Sequence, residues 1–152
     1  MAYWLMKSEP DAYSIDDLER DGTTPWDGIR NYQVRNMIRD DMRVGDEVLF
    51  YHSSCKVPAA VGIARIASDA YPDPTQFDAK SKYFDGGSDP EDPRWLLRDV
   101  EFVRKLKRPV TLQELKARDD LGEFPLTKRG NRLSIFPVTK SQWRTVTGLA
   151  RS

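Results

Sequence analysis

Short apolar runs are scattered along this chain of 152 residues, and they do not alternate regularly with long amphipathic helices. Ala2-Tyr3-Trp4-Leu5-Met6 has no helical period and reads as a buried strand that Pro10 terminates. Glu47 to His52 and Ala59 to Ile66 read the same way, with Gly62 at a bend of the sheet. Trp95 to Val110 alternates, carrying Leu96, Val100, Phe102 and Leu106 on one face against Asp99, Glu101 and Lys105 on the other. Leu133 to Val138 is a last strand, and Pro137 suits an edge. The helices expected between them are short. One runs from an Ser14 cap to Gly22, one from Asn31 to Met42, one starts at Thr111, and a terminal one runs from Thr139 to Leu149. Thr24 to Gly28 reads as a turn and Tyr71 to Pro93 as a long loop. Dispersed strands with short helices exclude a doubly wound parallel sheet and predict an α+β fold: a small curved sheet or barrel of about five to six strands, flanked by short helices, in a single domain over 1–152.

Charge narrows the partners. The 24 Lys and Arg residues balance the 24 Asp and Glu residues, so no uniform basic field exists to coat a phosphate backbone. The zero is a sum of unlike parts, because residues 1–93 hold 10 basic against 18 acidic side chains and residues 94–152 hold 14 against 6. Such polarity suits an oriented partner or two surfaces that neutralise each other in the fold. No apolar run approaches the roughly 18 residues of a membrane span, and the first residues turn acidic too soon for a signal peptide. A lone cysteine, Cys55, forms no internal disulfide and fits a reducing compartment, the cytoplasm in a bacterium or the nucleus in a eukaryote.

Several chemistries drop out. One His and one Cys cannot supply the usual zinc spacings, and no glycine-rich phosphate cradle is present, so neither a metal nor a cofactor is expected. His52, Ser53, Ser54 and Cys55 crowd together, but strand neighbours point to opposite faces and no third orienting group is evident. A better constellation joins Lys7-Ser8-Glu9, Trp26 to Asn31, Tyr51-His52-Ser53 and Arg132-Leu133-Ser134. Aromatic rings beside Ser, Asn and strand-end backbone suit a planar heterocycle, stacked on its face and hydrogen-bonded at its edge. Core packing is the competing role for these side chains. Trp4, Trp95 and Trp143 fall in apolar segments and are assigned to the core. Trp26 lies in a Pro-Trp-Asp-Gly turn, where ligand contact and packing are equally open. Asn31 suits a helix cap, His52 a structural histidine, and Lys7 with Glu9 an ion pair.

In order and nearly end to end, Trp4 to Pro10, Trp26 to Gln33 with Arg35-Asn36, Gly45-Asp46, Phe50 to Ser53, Tyr71 to Asp73, Arg132 to Ser134 and Pro137-Val138 resemble the successive motifs of the EVE domain. EVE domains belong to the PUA-like superfamily with the YTH and ASCH domains. The resemblance implies a barrel-like sheet and a monomeric, non-catalytic reader of DNA or RNA containing a modified base, with modified cytosine in DNA foremost. It implies a base pocket around Ser8, Trp26, Asn31, Tyr51, His52, Ser53 and Ser134, with Lys7, Arg30, Arg35 and Arg132 at its phosphate-facing mouth. The alternative is a small hydrolase acting on modified nucleosides, because ASCH amidohydrolases use a lysine, a threonine and a glutamate to which Lys7, Ser8 and Glu9 are loosely similar. Ser8 would face away from the other two on a strand.

Overall fold

The computed structural model describes residues 1–151. Its strands are β1 (Tyr3–Ser8), β2 (Thr23–Pro25), β3 (Glu47–His52), β4 (Ala59–Ile66), β5 (Tyr71–Pro72), β6 (Leu96–Leu97), β7 (Asp99–Thr111) and β8 (Ile135–Val138). Six of them form one curled sheet in the order β2-β7-β4-β3-β1-β8, while β5 and β6 make a separate two-stranded ribbon. β1 runs parallel to β3, and all other pairings are antiparallel. The expected α+β class is therefore met by a half-barrel with short helices on both faces.

Both faces of the sheet are buried, which is why its central strands read as continuous apolar runs. Leu5, Leu49, Tyr51, Phe136 and Val138 point into one core, beneath α3 (Leu112–Lys116) and α4 (Lys140–Leu149). Trp4, Met6, Val48, Phe50 and Ile135 point into the other, beneath α1 (Ile15–Asp21) and α2 (Tyr32–Asn36). Alternation along each strand assigns these side chains, and it recurs in the site below. Register shifts in the β3–β4 and β4–β7 pairings curl the sheet. Gly62 sits at one of them, and a Cβ there would collide with the Ile15 side chain.

Four expectations needed correction, one of them the loop from Tyr71 to Pro93, in which Tyr71–Pro72 pairs with β6 and Pro74–Phe77 forms a 3-10 turn. Thr23–Pro25 is an edge strand paired with β7, although Thr24 to Gly28 reads as a turn; Pro25 is tolerated because the edge requires no further N–H donor. The helix from Asn31 is α-helical only through Asn36 and continues as a π turn over Met37–Asp41. There the Arg43 amide donates to Asp46 Oδ2, which leaves the Ile38 carbonyl to accept from Arg98 Nε at 2.7 Å. Arg98 also divides the stretch from Trp95 to Val110. Its buried guanidinium binds the Ile38 and Ser68 carbonyls, and the chain breaks there into β6 and β7. A charged residue in the middle of an apolar alternation was the signal for that break.

Candidate nucleobase-binding cleft

A cleft of about 580 Å³ opens where β1 and the segment before β8 meet the Trp26–Ile29 loop. That is a volume typical of small-ligand sites. Its aromatic lining is Trp26, Tyr83 and Tyr13. Lys7, Ser8, Glu9, Asp27, Lys82 and Ser134 supply polar groups, so the lining carries two cations and two carboxylates.

Trp26 is half-buried. Its amide donates to the Arg98 carbonyl at 3.1 Å, and its ring meets Phe50 edge-on at 5.6 Å. The opposite wall, Tyr83, belongs to the long segment between β5 and β6 and is held by a small polar hub. Asp73 is fully buried and accepts from the Gly28 amide at 2.8 Å, the Thr75 amide at 2.8 Å, the Thr75 hydroxyl at 2.5 Å and Arg30 Nη1 at 3.2 Å. Burial pushes its carboxyl up, but the hydrogen bonds from Thr75, Gly28 and Arg30 outweigh it and hold the carboxyl below the ordinary Asp range. Arg30 then donates through Nε and Nη2 to the Tyr83 carbonyl at 3.0 and 2.6 Å, with its guanidinium over the rings of Tyr83 and Trp95.

Gly28 is the contact point between the two walls. Its φ of 84° is a left-handed conformation, and a Cβ there would lie 2.6 Å from Tyr83 Cζ. Gly28→Ala is expected to displace the Tyr83 ring and to weaken ligand binding at least tenfold, with a stability loss on the order of 1–3 kcal/mol; oligonucleotide titration and thermal unfolding check the two effects.

Of the residues expected around the pocket, Ser8, Trp26 and Ser134 line the cleft, as does Lys7 from the mouth set. Ser8 Oγ donates to the Tyr13 carbonyl at 2.5 Å, and the Ser134 carbonyl accepts from the Lys7 amide. Lys7 packs over Phe136, and burial lowers its ammonium pKa. The others lie outside the lining, each for a visible reason. Asn31 caps α2 by accepting from the Val34 amide. Tyr51 points into the opposite core, where burial first and the Cys55 charge second push its hydroxyl pKa up to about 12. His52 Nε2 accepts from the Ile15 amide at 3.1 Å at the start of α1, and burial lowers its pKa. The Ser53 amide donates to the Ser8 carbonyl. Arg30 is spent on the hub, and Arg35 donates to the Arg94 carbonyl with its guanidinium over Tyr32. Arg132 is exposed and is not among the lining residues.

The sequence reasoning passed over Tyr83, Lys82 and Tyr13 as wall residues and Asp73 as the hub. Tyr83 lies in a segment without periodicity, and its only signals were an aromatic in a polar loop and the glycine that must face it. Some basic residues of the second half form surface ion pairs: Lys105 with Asp16 and Glu19 of the first half, Arg108 with Glu114, and Lys128 with Glu123.

A model of the EVE domain matches residues 2–149, essentially the whole chain. The chain belongs to the EVE domain family. Thymocyte nuclear protein 1 of Mus musculus is 41% identical over 166 residues, covering 97% of this chain and 73% of that protein. A crystal structure of a Pseudomonas syringae protein superposes with a TM-score of 0.94 at 48% identity, covering 98% of this chain and 99% of the other. The human THYN1 protein, solved in complex with DNA containing 5-methylcytosine, superposes with a TM-score of 0.95 at 40% identity, over 100% and 99% of the two chains. A YTH domain of Zygosaccharomyces rouxii shares the fold at 12% identity with a TM-score of 0.56. Among the described residues of this EVE domain no helix is long and apolar enough to cross a membrane, and no group of His, Cys, Asp and Glu side chains converges to hold a metal ion.

Proposed function

We propose that this EVE domain reads a modified nucleobase, foremost a modified cytosine in DNA and secondarily in RNA, in the cleft between Trp26 and Tyr83, and releases it unchanged. The observation that carries this reading is the cleft itself: two aromatic walls and a mixed polar edge, in a chain that aligns over its whole length with a human relative solved on 5-methylcytosine DNA. A base entering from a duplex leaves its stack at a cost of a few kcal/mol. Stacking against Trp26 and hydrogen bonds along the base edge offset that cost.

The hydrolase reading finds no support in the local geometry. Ser8 Oγ is engaged by the Tyr13 carbonyl, and Lys7 lies over Phe136, so neither forms a nucleophile–base pair. Acylated nucleosides incubated with the protein should be recovered intact.

The direct test is titration of matched oligonucleotides with and without the modification at two salt concentrations. Lys7 and Lys82 are the cations at the cleft, with Arg132 proposed on its approach. The affinity should therefore fall with salt along a shallow slope of about one to four phosphate contacts. Equal affinity for modified and unmodified DNA and RNA would defeat the reading, and a slope near ten would point to a backbone-coating protein.

A further inference from the structure

Thymine and 5-methylcytosine carry the same methyl group on the same ring carbon, so a cleft that reads the methyl alone cannot separate them. They differ at the adjacent exocyclic position, an amino donor in one and a carbonyl acceptor in the other. N3 also differs, accepting in one and donating in the other, but at the exocyclic position it is a group that accepts without donating, held rigidly beside the stacked ring, that favours 5-methylcytosine. Lys7 and Lys82 only donate and the hydroxyls of Thr24 and Ser134 suit either edge, while the Ser8 hydroxyl, its proton given to the Tyr13 carbonyl, keeps only neutral acceptor capacity. The charged acceptors, which make the stronger hydrogen bonds, are the carboxylates of Asp27 and Glu9. Both residues are exposed; Glu9 lies on the turn after β1, its carbonyl taken by the amides of Ala12 and Tyr13, whereas Asp27 adjoins the stacking ring.

Asp27 directly follows Trp26, and its backbone is pinned on three sides. The Trp26 amide donates to the Arg98 carbonyl at 3.1 Å, the Asp27 amide to the Pro25 carbonyl at 3.1 Å, and the Gly28 amide to Asp73 Oδ2 at 2.8 Å. Among the described residues its carboxylate has no ion pair and no side-chain hydrogen bond, although it stands near Arg30 and Lys82. Desolvation in the cleft and then the charge of Asp73 push its carboxyl above the ordinary range, outweighing Arg30, its own backbone amide and Lys82, so a further donor would stabilise the ionised group. An amino group on the bound base is such a donor.

We propose that the Asp27 carboxylate is a specificity determinant that accepts a hydrogen from the exocyclic amino group of the bound base, admitting amino-bearing bases and rejecting thymine and uracil. The assignment rests on the cleft being the modified-base pocket, and the test separates the two. The wild-type protein, Asp27→Asn and Asp27→Ala are titrated with one duplex bearing a single-nucleotide bulge of 5-methylcytosine, cytosine or thymine, after thermal unfolding shows that each variant is folded. The wild type should favour 5-methylcytosine over thymine by about tenfold to a hundredfold. Asp27→Asn, whose amide both donates and accepts, should gain thymine binding and erase most of that ratio while keeping its preference for 5-methylcytosine over cytosine. Asp27→Ala should lower 5-methylcytosine binding towards the thymine level. Unchanged ratios in both variants, or a wild type that binds thymine as tightly as 5-methylcytosine while still preferring the latter to cytosine, would overturn the role of Asp27 and leave the reader function standing. A wild type that does not separate 5-methylcytosine from cytosine would remove the reading beneath it. Should both variants fail to fold, the wild-type ratio decides: tenfold or more supports the assignment, and parity overturns it.

Discussion

Asp73→Ala should cost about 3–5 kcal/mol of folding stability and should abolish ligand binding even where the variant remains folded. The carboxylate is fully buried and receives two backbone amides, one hydroxyl and one guanidinium. Its removal strands the Gly28 and Thr75 amides and leaves the Arg30 guanidinium, whose side chain is 22% exposed, without its counter-charge. Arg30 in turn positions the Tyr83 carbonyl, so the cleft loses a wall as well as its loop anchor. Denaturant unfolding measures the stability term and oligonucleotide titration the binding term. Asp73→Asn keeps the shape and an acceptor, and should cost less. The two proteins should also differ in acid. The folded carboxyl is held below its ordinary value of 3.8, so its contribution is fully present above that value and is lost as pH falls towards the depressed folded pKa. The acid limb of the wild-type stability curve should contain this component, and that of Asp73→Asn should lack it. A curve that is unchanged between the two below pH 4 would show that Asp73 is not the charged hub of the loop.

What the sequence disclosed about this molecule follows its periodic segments. Strands β1, β3, β4 and β8 are short apolar runs, and the same alternation that revealed them sends Tyr51 into one core and His52 beside Phe50 on the other face. Of Tyr51, His52 and Ser53, expected together at the pocket, none lines the cleft. Ser14, Asn31, Thr111 and Thr139 were legible as caps because a cap acts on the backbone three residues ahead. Trp26 stood out because an indole in a Pro-Trp-Asp-Gly turn lacks a strand or helix to bury it.

Tyr83 and Asp73 were obscured because their roles are set by contacts 43 to 55 residues away in sequence, with Gly28 and Arg30. A local reading has no access to such pairings. Arg30 was misjudged for the same reason: an arginine beside a pocket motif looks like a phosphate ligand until the loop carbonyls that consume its donors are known. The charge polarity has a similar explanation. Lys105 of β7 pairs with Asp16 and Glu19 of α1, so part of the imbalance along the chain is cancelled across the fold and is not presented to a partner.

Trp26→Ala should erase the preference for a modified base. Stacking of a base on an aromatic side chain contributes about 1–3 kcal/mol, so the loss corresponds to roughly tenfold to a hundredfold in affinity. The ring also lines the cleft and packs perpendicular to Phe50, which holds the indole in place. Trp26→Phe retains a π face of smaller area and should fall between wild type and alanine. The alanine variant leaves a gap above Phe50 and will lose stability too, so binding must be measured well below its unfolding midpoint. The control is Glu123→Ala, since Glu123 is 87% exposed and its contact is a surface pair with Lys128 that contributes little. Glu123→Ala should bind modified oligonucleotides like the wild type. Parallel losses in both variants would mean that affinity resides in general surface charge, and an unaltered preference in Trp26→Ala would move the base out of this cleft. Loss confined to the Trp26 variants, graded from phenylalanine to alanine, is the pattern that a stacked, edge-read base requires.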